Sequence, residues 1–460
     1  MVHTRPPAEP LLDVLRTRGI TGARDLGAAL GISQPSVSRA VSMAGERAAR
    51  IGRGRRTRYA AVRDVRGLGS DWPLYRIDAR GRPQEFGRLT ALHGGACLVT
   101  AKDALAWLRG EFAEGLFPGL PWFLDDQRPQ GFLGRGFAHR WARELGLPTD
   151  IARWNDDAVL AALLLHGEDG PGDFVLGDAA LEHALRNQPD PIDAASRETV
   201  YDARAQAALA GELVGSSAAG EQPKFTACVA DGAGDTRHVI VKFSEPVDGN
   251  FAARRWADLL ICEHLAGTLL AEHGQASAHT ELVWSQGRLC LEATRFDRIG
   301  AHGRRGFCTL AAWDDAHAGQ RDDWVTAARR MRASDWLDDD GLAEVQRRWW
   351  FGRLIGNTDM HFGNLGFHLD DMLPWVPAPS YDMLPMLYRP DGSGAVVMRT
   401  FDPPPPTPSA LSHWRQAADW ASQFWKGVAG HAAISDGFRR LAGDNGTKVD
   451  ALRRRFDDGG

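Results

Sequence analysis

The residues most suited to chemistry lie between positions 351 and 367, where an aspartate is followed, after four residues, by an asparagine. Asp359 and Asn364 have the spacing of a phosphoryl-transfer loop: the carboxylate orients the attacking hydroxyl and can accept its proton, while the amide oxygen binds magnesium. A second carboxylate must face the same metal ion. Asp382 is the candidate, because a hairpin after Gly366 would return the chain to this loop. Such spacing also occurs by chance, so the interpretation depends on the rest of the chain.

A run of small residues between two glycines precedes a pair of predicted strands. The run comprises Gly215, Ser216, Ser217, Ala218, Ala219 and Gly220. Its backbone N–H groups can point at phosphate oxygens. Glu221 and Gln222 stand where a Walker-A loop requires Lys and Ser/Thr, and a strand at 225–229 is predicted where that loop needs a helix, so we reject a P-loop.

A lysine interrupts the next apolar strand, His238–Phe243. Lys242 beside a glycine-rich loop has the arrangement by which kinases hold the α- and β-phosphates of ATP, although such a lysine is also common at a strand end. It then needs a carboxylate partner on a helix. The predicted helix 251–271 offers Glu263, with Asp258 and Glu272 as competitors. Glu292 ends a further predicted strand that leads to a hinge.

The charge is distributed unevenly over the 460 residues, of which 43% are hydrophobic. Residues 1–66 contain thirteen arginines and five acidic residues, which gives this segment a charge of +8. Because the whole chain has a net charge of −5, the remaining residues carry −13. The five cysteines lack metal-ligand spacing, the start of the chain lacks an apolar signal segment, and no apolar run approaches 18 residues. We therefore expect a cytoplasmic protein with free thiols that does not enter a membrane.

The basic N-terminal segment predicts a helix-turn-helix followed by a hairpin. Short helices are expected at 11–15, 23–30 and 34–43, with Ser33 capping the third. The third helix leaves polar side chains outward for base edges and phosphates: Gln34, Ser36, Ser38 and Arg39. The hairpin 51–62 has a basic tip that suits DNA phosphates: Arg53, Arg55, Arg56 and Arg58. A dimerisation module, or a solvated arginine face, is the alternative.

Other segments carry structural predictions only. A hairpin is expected at 73–89, an exposed turn-rich connection at 119–140, and helices at 154–165 and 194–209. Near the end, a proline-rich connector precedes a helix whose core-facing stripe is Trp414, Ala417, Ala418, Ala421, Phe424 and Trp425.

From about residue 70 onward, the chain resembles the HipA family of serine/threonine kinase toxins, and most of all the YjjJ branch, which carries its own helix-turn-helix. The most specific motifs are Gly220-Glu-Gln-Pro-Lys224, Arg295-Phe-Asp-Arg298, the Asn-Thr-Asp-Met-His-Phe-Gly-Asn run that ends at Asn364, and the pair Tyr381-Asp382. Asn-Thr before Asp359 and Met-Leu after Asp382 differ from eukaryotic protein kinases, but the HipA type shares both differences.

The resemblance implies a role for each matching position. Asp359 would be the catalytic base, Asn364 and Asp382 the magnesium ligands, and Lys242 and Glu263 the ATP-holding pair, while Ser217 falls where family members carry an autophosphorylated serine. The wider nucleotide-binding set adds residues 215–220, Lys224 and Glu292. HipA itself reaches DNA through a separate antitoxin, so the fused DNA-binding segment leaves the need for an antitoxin open.

These inferences predict an α+β protein with a two-lobed HipA-like protein-kinase fold and an N-terminal winged helix-turn-helix. The expected domains are the winged helix-turn-helix at 1–66, a β-rich subdomain with connecting helices at 70–210, the kinase core at 211–400 and a helical extension at 401–460.

The leading functional hypothesis is an ATP- and Mg²⁺-dependent serine/threonine protein kinase of the toxin–antitoxin type that binds double-stranded DNA as a homodimer. Family analogy suggests an aminoacyl-tRNA synthetase or another translation factor as its substrate. The alternatives are a small-molecule phosphotransferase and a transcription regulator whose kinase-like body senses nucleotide. Retention of Asp359, Asn364 and Asp382 argues against the last of these.

Overall fold

The computed structural model describes residues 8–212, 222–230 and 236–457, which form α-helices and mainly antiparallel sheets. The α-helices, in chain order, are α1 Ala8–Arg18, α2 Ala23–Leu30, α3 Gln34–Ala44, α4 Gly131–Trp141, α5 Asp156–His166, α6 Asp178–Arg186, α7 Arg197–Glu212, α8 Phe251–Glu272, α9 Leu310–His317, α10 Trp324–Ala333, α11 Asp339–Leu354, α12 Leu411–Gly430 and α13 Asp436–Asp457.

The strands, in chain order, are β1 Thr21–Gly22, β2 Ala48–Ile51, β3 Arg58–Ala61, β4 Asp71–Ile77, β5 Pro83–Ala91, β6 Cys97–Ala101, β7 Leu116–Phe117, β8 Phe174–Leu176, β9 Lys224–Ala230, β10 Thr236–Phe243, β11 Thr280–Ser285, β12 Arg288–Thr294, β13 Arg298–Ile299, β14 Gly303–Arg304, β15 Phe307–Thr309 and β16 Gly366–His368. The larger sheets have the orders β1-β3-β2, β7-β6-β5-β4-β8 and β11-β12-β10-β9.

The chain forms two compact units. The first runs to Ile77 and also includes Pro83–Arg128 and Ala152–Asn187. The second consists of Asp78–Arg82, Pro129–Ile151 and the chain from Gln188 onward.

The first unit begins with the three predicted helices, which are confirmed as α1, α2 and α3. They share a core of leucines and Val37, and Gly31 ends α2 in the left-handed conformation that glycine adopts without strain. The predicted capping bond of Ser33 is wrong. Ser33 occupies the N-cap position of α3, but its hydroxyl lies 3.0 Å from that of Ser36 and does not accept a helix N–H.

Strands β2 and β3 pair antiparallel to form the basic hairpin, residues 48–61. A hairpin was predicted here at 51–62, but its first strand begins at Ala48, and Arg58 lies on β3 and not at the tip. One face of the basic hairpin packs into the same unit, because Ile51 and Ala60 share a core with Leu92 and Leu98. The hairpin therefore rests on the sheet that follows it in the chain.

The middle of the first unit confirms the predicted hairpin 73–89 as β4 and β5. The prediction of an exposed connection at 119–140 is wrong. Trp122, Phe123 and Leu124 are buried in a 3₁₀-helix, and α4, which belongs to the second unit, follows in the chain. The turn-forming residues of this stretch obscured a run of large apolar side chains that is buried in an aromatic cluster with Trp107.

The second unit contains a four-stranded sheet covered by α7 on one face and α8 on the other. In the register of this sheet, Lys242 lies opposite Leu291, and Val241 lies opposite Glu292. Because side chains alternate along a strand, Lys242 and Glu292 point to opposite faces. Lys242 contacts α8 through Glu263, and Glu292 contacts α7 through Tyr201.

The helical part of this unit fixes the chain that enters the Asp359 loop. The predicted core stripe of α12 is buried, and the indole N–H of Trp425 donates to the carbonyl of Leu354, the last residue of α11, at 3.1 Å. The loop that contains Asp359 therefore starts from an anchored helix end.

The return of the chain toward this loop also follows the prediction. His368 N–H donates to Val376 O at 3.0 Å, and Ala378 N–H donates to Gly366 O at 2.8 Å, so the chain runs back beside β16. Ser380 N–H then donates to Ala276 O at 2.9 Å, which fixes the chain two residues before Asp382.

Candidate active site

Lys242 joins two carboxylates in the second unit. Its Nζ donates to Glu263 Oε1 at 2.5 Å and also to Asp382 Oδ1. The exposed fractions of the Lys242 and Glu263 side chains are only 8% and 6%, whereas that of Asp382 is 31%. The lysine is therefore shielded by Glu263 on one side and reaches the partly open Asp382 on the other.

The sequence left three candidates for the carboxylate partner of Lys242, and the structure selects Glu263. Asp258 accepts hydrogen bonds from the backbone and hydroxyl of Ser435 at 2.8 and 2.5 Å, so it anchors the start of α13. Glu272 is the exposed last residue of α8. Glu263 occupies the turn of α8 that faces Lys242.

Burial and charge set the ionisation of this cluster. Burial raises the pKa of Glu263, and the Lys242 ammonium only partly offsets that rise. Burial acts in the same direction on Asp382, but Lys242 and Lys224 outweigh it and hold the pKa of Asp382 below its usual value. Burial alone would favour neutral Lys242, yet Asp382 and Glu263 raise the pKa of its ammonium group. Asp382 is therefore an ionised carboxylate beside a fixed cation.

The backbone of Asp382 is held in an uncommon conformation. Its φ of 54° lies in the left-handed region. A non-glycine residue adopts this conformation at a cost in free energy, and residues in such conformations are found more often at functional sites than elsewhere. Its N–H donates to Glu263 Oε1 at 3.3 Å, and the neighbouring Tyr381 hydroxyl donates to Gly363 O at 2.6 Å. These bonds connect Asp382 to α8 and to the loop that contains Asp359.

Two asparagines shape the loop around Asp359. Asn357 Oδ1 accepts the Asp359 N–H at 3.0 Å, and Asn364 Nδ2 donates to Asp359 O at 2.8 Å. Because the Asn364 amide nitrogen is used inside the loop, its Oδ1 is the atom that can bind a cation. The side chains of Asp359 and Asn364 are both partly exposed.

Asn357 was not predicted as a site residue, although it lies in the motif that carries the family resemblance. It is buried, and its Nδ2 donates to Asp382 O at 3.3 Å while its Oδ1 accepts from Asp359. One amide thus links the two carboxylate-bearing segments. Its position two residues before Asp359 was the available signal, but the contact with Asp382 depends on the fold.

The Arg295–Arg298 motif packs beside the segment that carries Asp382. Asp297 accepts two hydrogen bonds from Arg295, at 3.1 and 3.0 Å, and one from Arg298 at 2.6 Å. Between them, the Phe296 ring lies 5.7 Å from the ring of Tyr381. The motif therefore packs against the residue that precedes Asp382.

Lys224 lies directly opposite Lys242 on the neighbouring strand, so both side chains occupy the same face of the sheet. Gly215, Ser216, Ser217, Ala218, Ala219 and Gly220 lie outside the described residues. Of the predicted nucleotide-binding residues between positions 215 and 224, the structure describes Lys224.

Glu292 does not join this cluster. Its carboxylate is fully buried, accepts the Tyr201 hydroxyl at 2.6 Å and lies 3.3 and 3.4 Å from Arg197 and Arg237. The prediction that the Glu292 side chain binds nucleotide is therefore wrong. Because side chains alternate along β12, the side chain of Glu292 faces α7 and not the face of the sheet that carries Lys242.

The donor set around Asp382 suits a hard cation. A carboxylate and an amide oxygen are ligands that Mg²⁺ prefers. In the described part of the chain, Glu263 Oε2 is buried without a hydrogen-bond partner, so an oxygen acceptor also faces the interior of this site. The carboxylate of Asp382 and the amide oxygen of Asn364 are therefore of the kind that fits a hard divalent cation such as Mg²⁺.

The predicted DNA-contacting residues lie on the surface of the first unit. Gln34, Ser38 and Arg39 are exposed on α3, while Ser36 is half-buried and its hydroxyl accepts from Arg39 Nη2 at 3.1 Å. Arg39 is therefore pre-positioned on the helix.

The arginines of the basic hairpin divide into two kinds. Arg53 and Arg56 are exposed, whereas Arg58 Nη2 donates to Glu114 at 2.6 Å. The side chain of Arg55 lies outside the described residues. A Cβ at Gly52, whose φ is +72°, would approach Glu114 Oε1 to 2.5 Å, so glycine makes room for the acid that pairs with Arg58.

Comparison with known proteins gives matches along most of the chain. Residues 68–185 match the middle domain of YjjJ-like toxins, and residues 216–440 match the HipA-like C-terminal domain. The chain is 37% identical to Toxin YjjJ of Escherichia coli (strain K12) over 452 residues, which is 97% of this chain and 98% of that protein.

Among solved structures, the fold matches HipA of Shewanella oneidensis MR-1, which was solved with HipB and operator DNA. The TM-score is 0.53 at 16% identity, over 84% of this chain and 98% of HipA. The Helicobacter pylori proinflammatory kinase CtkA matches with a TM-score of 0.35 at 12% identity, over 52% of this chain and 92% of CtkA, which is too weak to support an argument. The predicted α+β, HipA-like fold class is confirmed. Among the described residues, no helix is both long and apolar enough to span a bilayer.

Proposed function

The chain belongs to the family of YjjJ-like, HipA-type toxins, and on that basis we propose that it is an ATP-dependent kinase that phosphorylates a serine or threonine of a protein. The observation that carries the proposal is the bridge from Lys242 to both Glu263 and Asp382. A strand lysine, a helix glutamate and a metal-binding aspartate are the parts that must be in place together for phosphoryl transfer in protein kinases.

Each residue then has a task. Bound ATP and Mg²⁺ would supply the phosphoryl group and the charge that neutralises it in transfer. Lys242, held by Glu263, would contact phosphate oxygens, and Lys224 adds a second positive charge on the same face. Asp382 and Asn364 would hold the cation through oxygen atoms. Asp359 accepts the proton of the attacking hydroxyl, and Asn357 fixes the backbone that carries it.

A protein substrate is proposed from the family, and by analogy an aminoacyl-tRNA synthetase or another translation factor is the expected class. The test is to incubate the purified chain with γ-labelled ATP, Mg²⁺ and a cell lysate. A discrete labelled protein band is the expected result. Label in small molecules alone would favour a phosphotransferase, and nucleotide binding without transfer would favour a nucleotide-sensing regulator.

DNA binding is proposed for the first unit. The support is the exposed polar face of α3, the exposed Arg53 and Arg56, and the +8 charge of residues 1–66. The HipA relative was solved with HipB and operator DNA. In the present chain the DNA-contacting elements would belong to the same polypeptide, and two copies would bind a two-fold operator, because one short helix reads too few bases for a unique site.

We also propose that the kinase silences itself through Ser217. The proposal rests on the sequence and the family resemblance, because this serine lies among small residues in the expected phosphate-cradling loop. A phosphate adds a charge of about −2, which cannot share the cradle with ATP phosphates. Mass spectrometry after long incubation with ATP should detect phosphate on Ser217. Its absence from both Ser217 and the adjacent Ser216 would exclude the switch.

A further inference from the structure

A cluster of three metal-ligating side chains lies in the first unit and has no role in the proposed kinase site. His166, Glu168 and His183 each offer one ligand atom, and these atoms all lie within 4.8 Å of one another. His183 Nδ1 is 4.0 Å from Glu168 Oε2. The two imidazole rings are nearly parallel, with 21° between their planes and 6.1 Å between their centroids. The three donors therefore already converge on a common point.

The backbone that carries these residues is closely fixed. His166 is the last residue of α5, and a Cβ at the following Gly167 would clash with Leu163 O, so only glycine permits the tight turn that brings Glu168 back. His183 lies on α6, which begins after Gly177, where a Cβ would approach Leu164 of α5 to 2.8 Å. Gly167 therefore permits the turn at the end of α5, and Gly177 lets the start of α6 approach α5 closely.

Strand β8 connects the two helices and holds them in place. It pairs with β4 in the five-stranded sheet, and the Tyr75 hydroxyl of β4 donates to Asp178, the first residue of α6, at 2.6 Å. Sites built on such anchored elements keep their ligands in position better than sites on loops.

The donor set defines the class of ligand. Two imidazoles and one carboxylate are a combination that binds Zn²⁺ or a related divalent transition metal, with a fourth position left for water, whereas Mg²⁺ and Ca²⁺ favour oxygen donors alone. Metal–ligand bonds of about 2.0–2.2 Å in a tetrahedral site place the donor atoms about 3.3–3.5 Å apart. The side chains thus need to close by only about 1 Å. His183 can make that movement, because 48% of its side chain is exposed.

We propose that His166, Glu168 and His183 bind a divalent transition-metal ion of the zinc class. The ion would join the end of α5 to α6, and it would stabilise the first unit by mass action, because the unfolded chain does not hold the three donors together. The competing explanation is a simple ion pair between protonated His183 and Glu168, which involves no metal.

Cobalt(II) is the probe, because its visible absorption reports coordination by nitrogen and oxygen. The full chain, prepared without a histidine tag, is titrated with Co²⁺ in the presence of excess Mg²⁺, which occupies the oxygen-donor site at Asp382 and Asn364. We expect one Co²⁺ per chain with a visible band that Zn²⁺ displaces, and a higher unfolding temperature when Zn²⁺ is present.

The variant His183→Ala should weaken Co²⁺ binding by at least about 100-fold, since removal of residues that merely orient metal ligands already costs 10- to 100-fold. His139→Ala is the matched control, because His139 is also an exposed histidine in the last turn of a helix. Glu168→Gln provides a second variant that keeps the shape of the side chain, in case His183→Ala does not fold.

Three results of the Co²⁺ titration would overturn the proposal. The first is binding of less than one Co²⁺ per chain by the wild type. The second is a Co²⁺ affinity in the folded site variant, His183→Ala or Glu168→Gln, that equals the wild-type affinity. The third is a loss of Co²⁺ affinity in His139→Ala as large as the loss in the site variant. A Zn²⁺-dependent rise in unfolding temperature that persists in the site variants would also contradict it. None of these outcomes bears on phosphoryl transfer, so the metal site and the kinase proposal fail separately.

Discussion

The side-chain oxygen of Asn357 accepts the backbone N–H of Asp359 at 3.0 Å, while the amide nitrogen of Asn357 donates to the carbonyl of Asp382 at 3.3 Å. This buried amide links the segment that carries the proposed base to the segment that carries the proposed metal ligand. The relative placement of the two carboxylates therefore depends on a residue that has no chemical role of its own.

Replacement of Asn357 should impair catalysis more than folding. Asn357→Ala removes both hydrogen bonds, and a displacement of about 1 Å at Asp359 is expected to lower kcat by about 10²-fold. Single-turnover phosphoryl transfer measures the effect, and circular dichroism checks the fold. Asn187→Ala, at an exposed position at the end of α6, is the control and should retain full activity. A wild-type kcat in Asn357→Ala would exclude the positioning role.

Loss of Lys242 should destabilise the protein as well as inactivate it. Lys242→Met leaves the buried Glu263 beside Asp382 without its hydrogen-bonded cation, and breaking such a buried pair costs roughly 3 kcal/mol in the free energy of unfolding. The double variant Lys242→Met/Glu263→Gln should recover much of that loss while remaining inactive. Chemical denaturation followed by tryptophan fluorescence provides the measurement.

The control for this cycle is Lys426→Met, which removes a lysine that is 67% exposed and lies 3.5 Å from Asp450. An exposed pair of this kind contributes less than about 1 kcal/mol. Equal losses in Lys426→Met and Lys242→Met would show that the buried cluster has no special energetic role.

His368 should make the protein less stable in mild acid. Burial, with a further contribution from Arg305, lowers the pKa of His368 from 6.5 to about 4. The unfolded chain therefore binds a proton at higher pH than the folded chain, so this contribution to stability is complete above pH 6.5 and is lost as the pH falls toward 4. The loss is up to roughly 1.4 kcal/mol per pH unit.

The test compares the free energy of unfolding at pH 7 and at pH 4.5 in the wild type and in His368→Gln, which has no titrating group. The wild type should lose more stability than the variant over this range, and His139→Gln should behave as the wild type does. Identical pH dependence in His368→Gln and the wild type would assign the acid sensitivity to other groups.

Substitutions in the two groups of proposed DNA-contacting residues should change DNA binding in different ways. Arg53→Ala/Arg56→Ala should weaken binding to every sequence and flatten the log–log salt dependence by about 0.9 for each phosphate that is no longer neutralised. Arg39→Ala should instead reduce the preference for one site, by roughly 1–3 kcal/mol if the guanidinium is bidentate to a guanine. Fluorescence anisotropy with specific and random duplexes at several salt concentrations separates the two effects.

Arg58→Ala is the comparison within the basic hairpin, because Arg58 is paired with Glu114 and should contribute less to the salt slope than Arg53 or Arg56. If the full chain does not bind random duplex DNA even at low salt, then the first unit is a protein-interaction module.

Local patterns in the sequence identified Lys242 and left Glu263, Asp258 and Glu272 as its possible partners. An apolar strand with one lysine, followed by a long helix, limits which residues can face each other, but the packing of the helix on the strand is what selects Glu263. The helices α1, α2 and α3 were predicted for the same reason, since their apolar positions and the turn at Gly31 are local signals.

The remaining features depend on contacts between distant segments. Glu292 was assigned to the nucleotide site from its place in the chain order, whereas its face is decided by the pairing of Glu292 with Val241. The Arg58–Glu114 pair joins residues 56 positions apart, and Asn357 meets Asp382 only after the chain has returned beside β16. No local spacing predicts such contacts.

In the proposed kinase, Asp359 accepts the proton of a protein hydroxyl during phosphoryl transfer. The most direct test is the rate at which purified wild-type and Asp359→Ala proteins transfer label from γ-labelled ATP to the protein band found in lysate, with circular dichroism as the check on folding. We expect Asp359→Ala to remain folded and its rate to fall by about 10²–10⁴-fold, which is the predicted effect of losing the base. Transfer by folded Asp359→Ala at nearly the wild-type rate would contradict it.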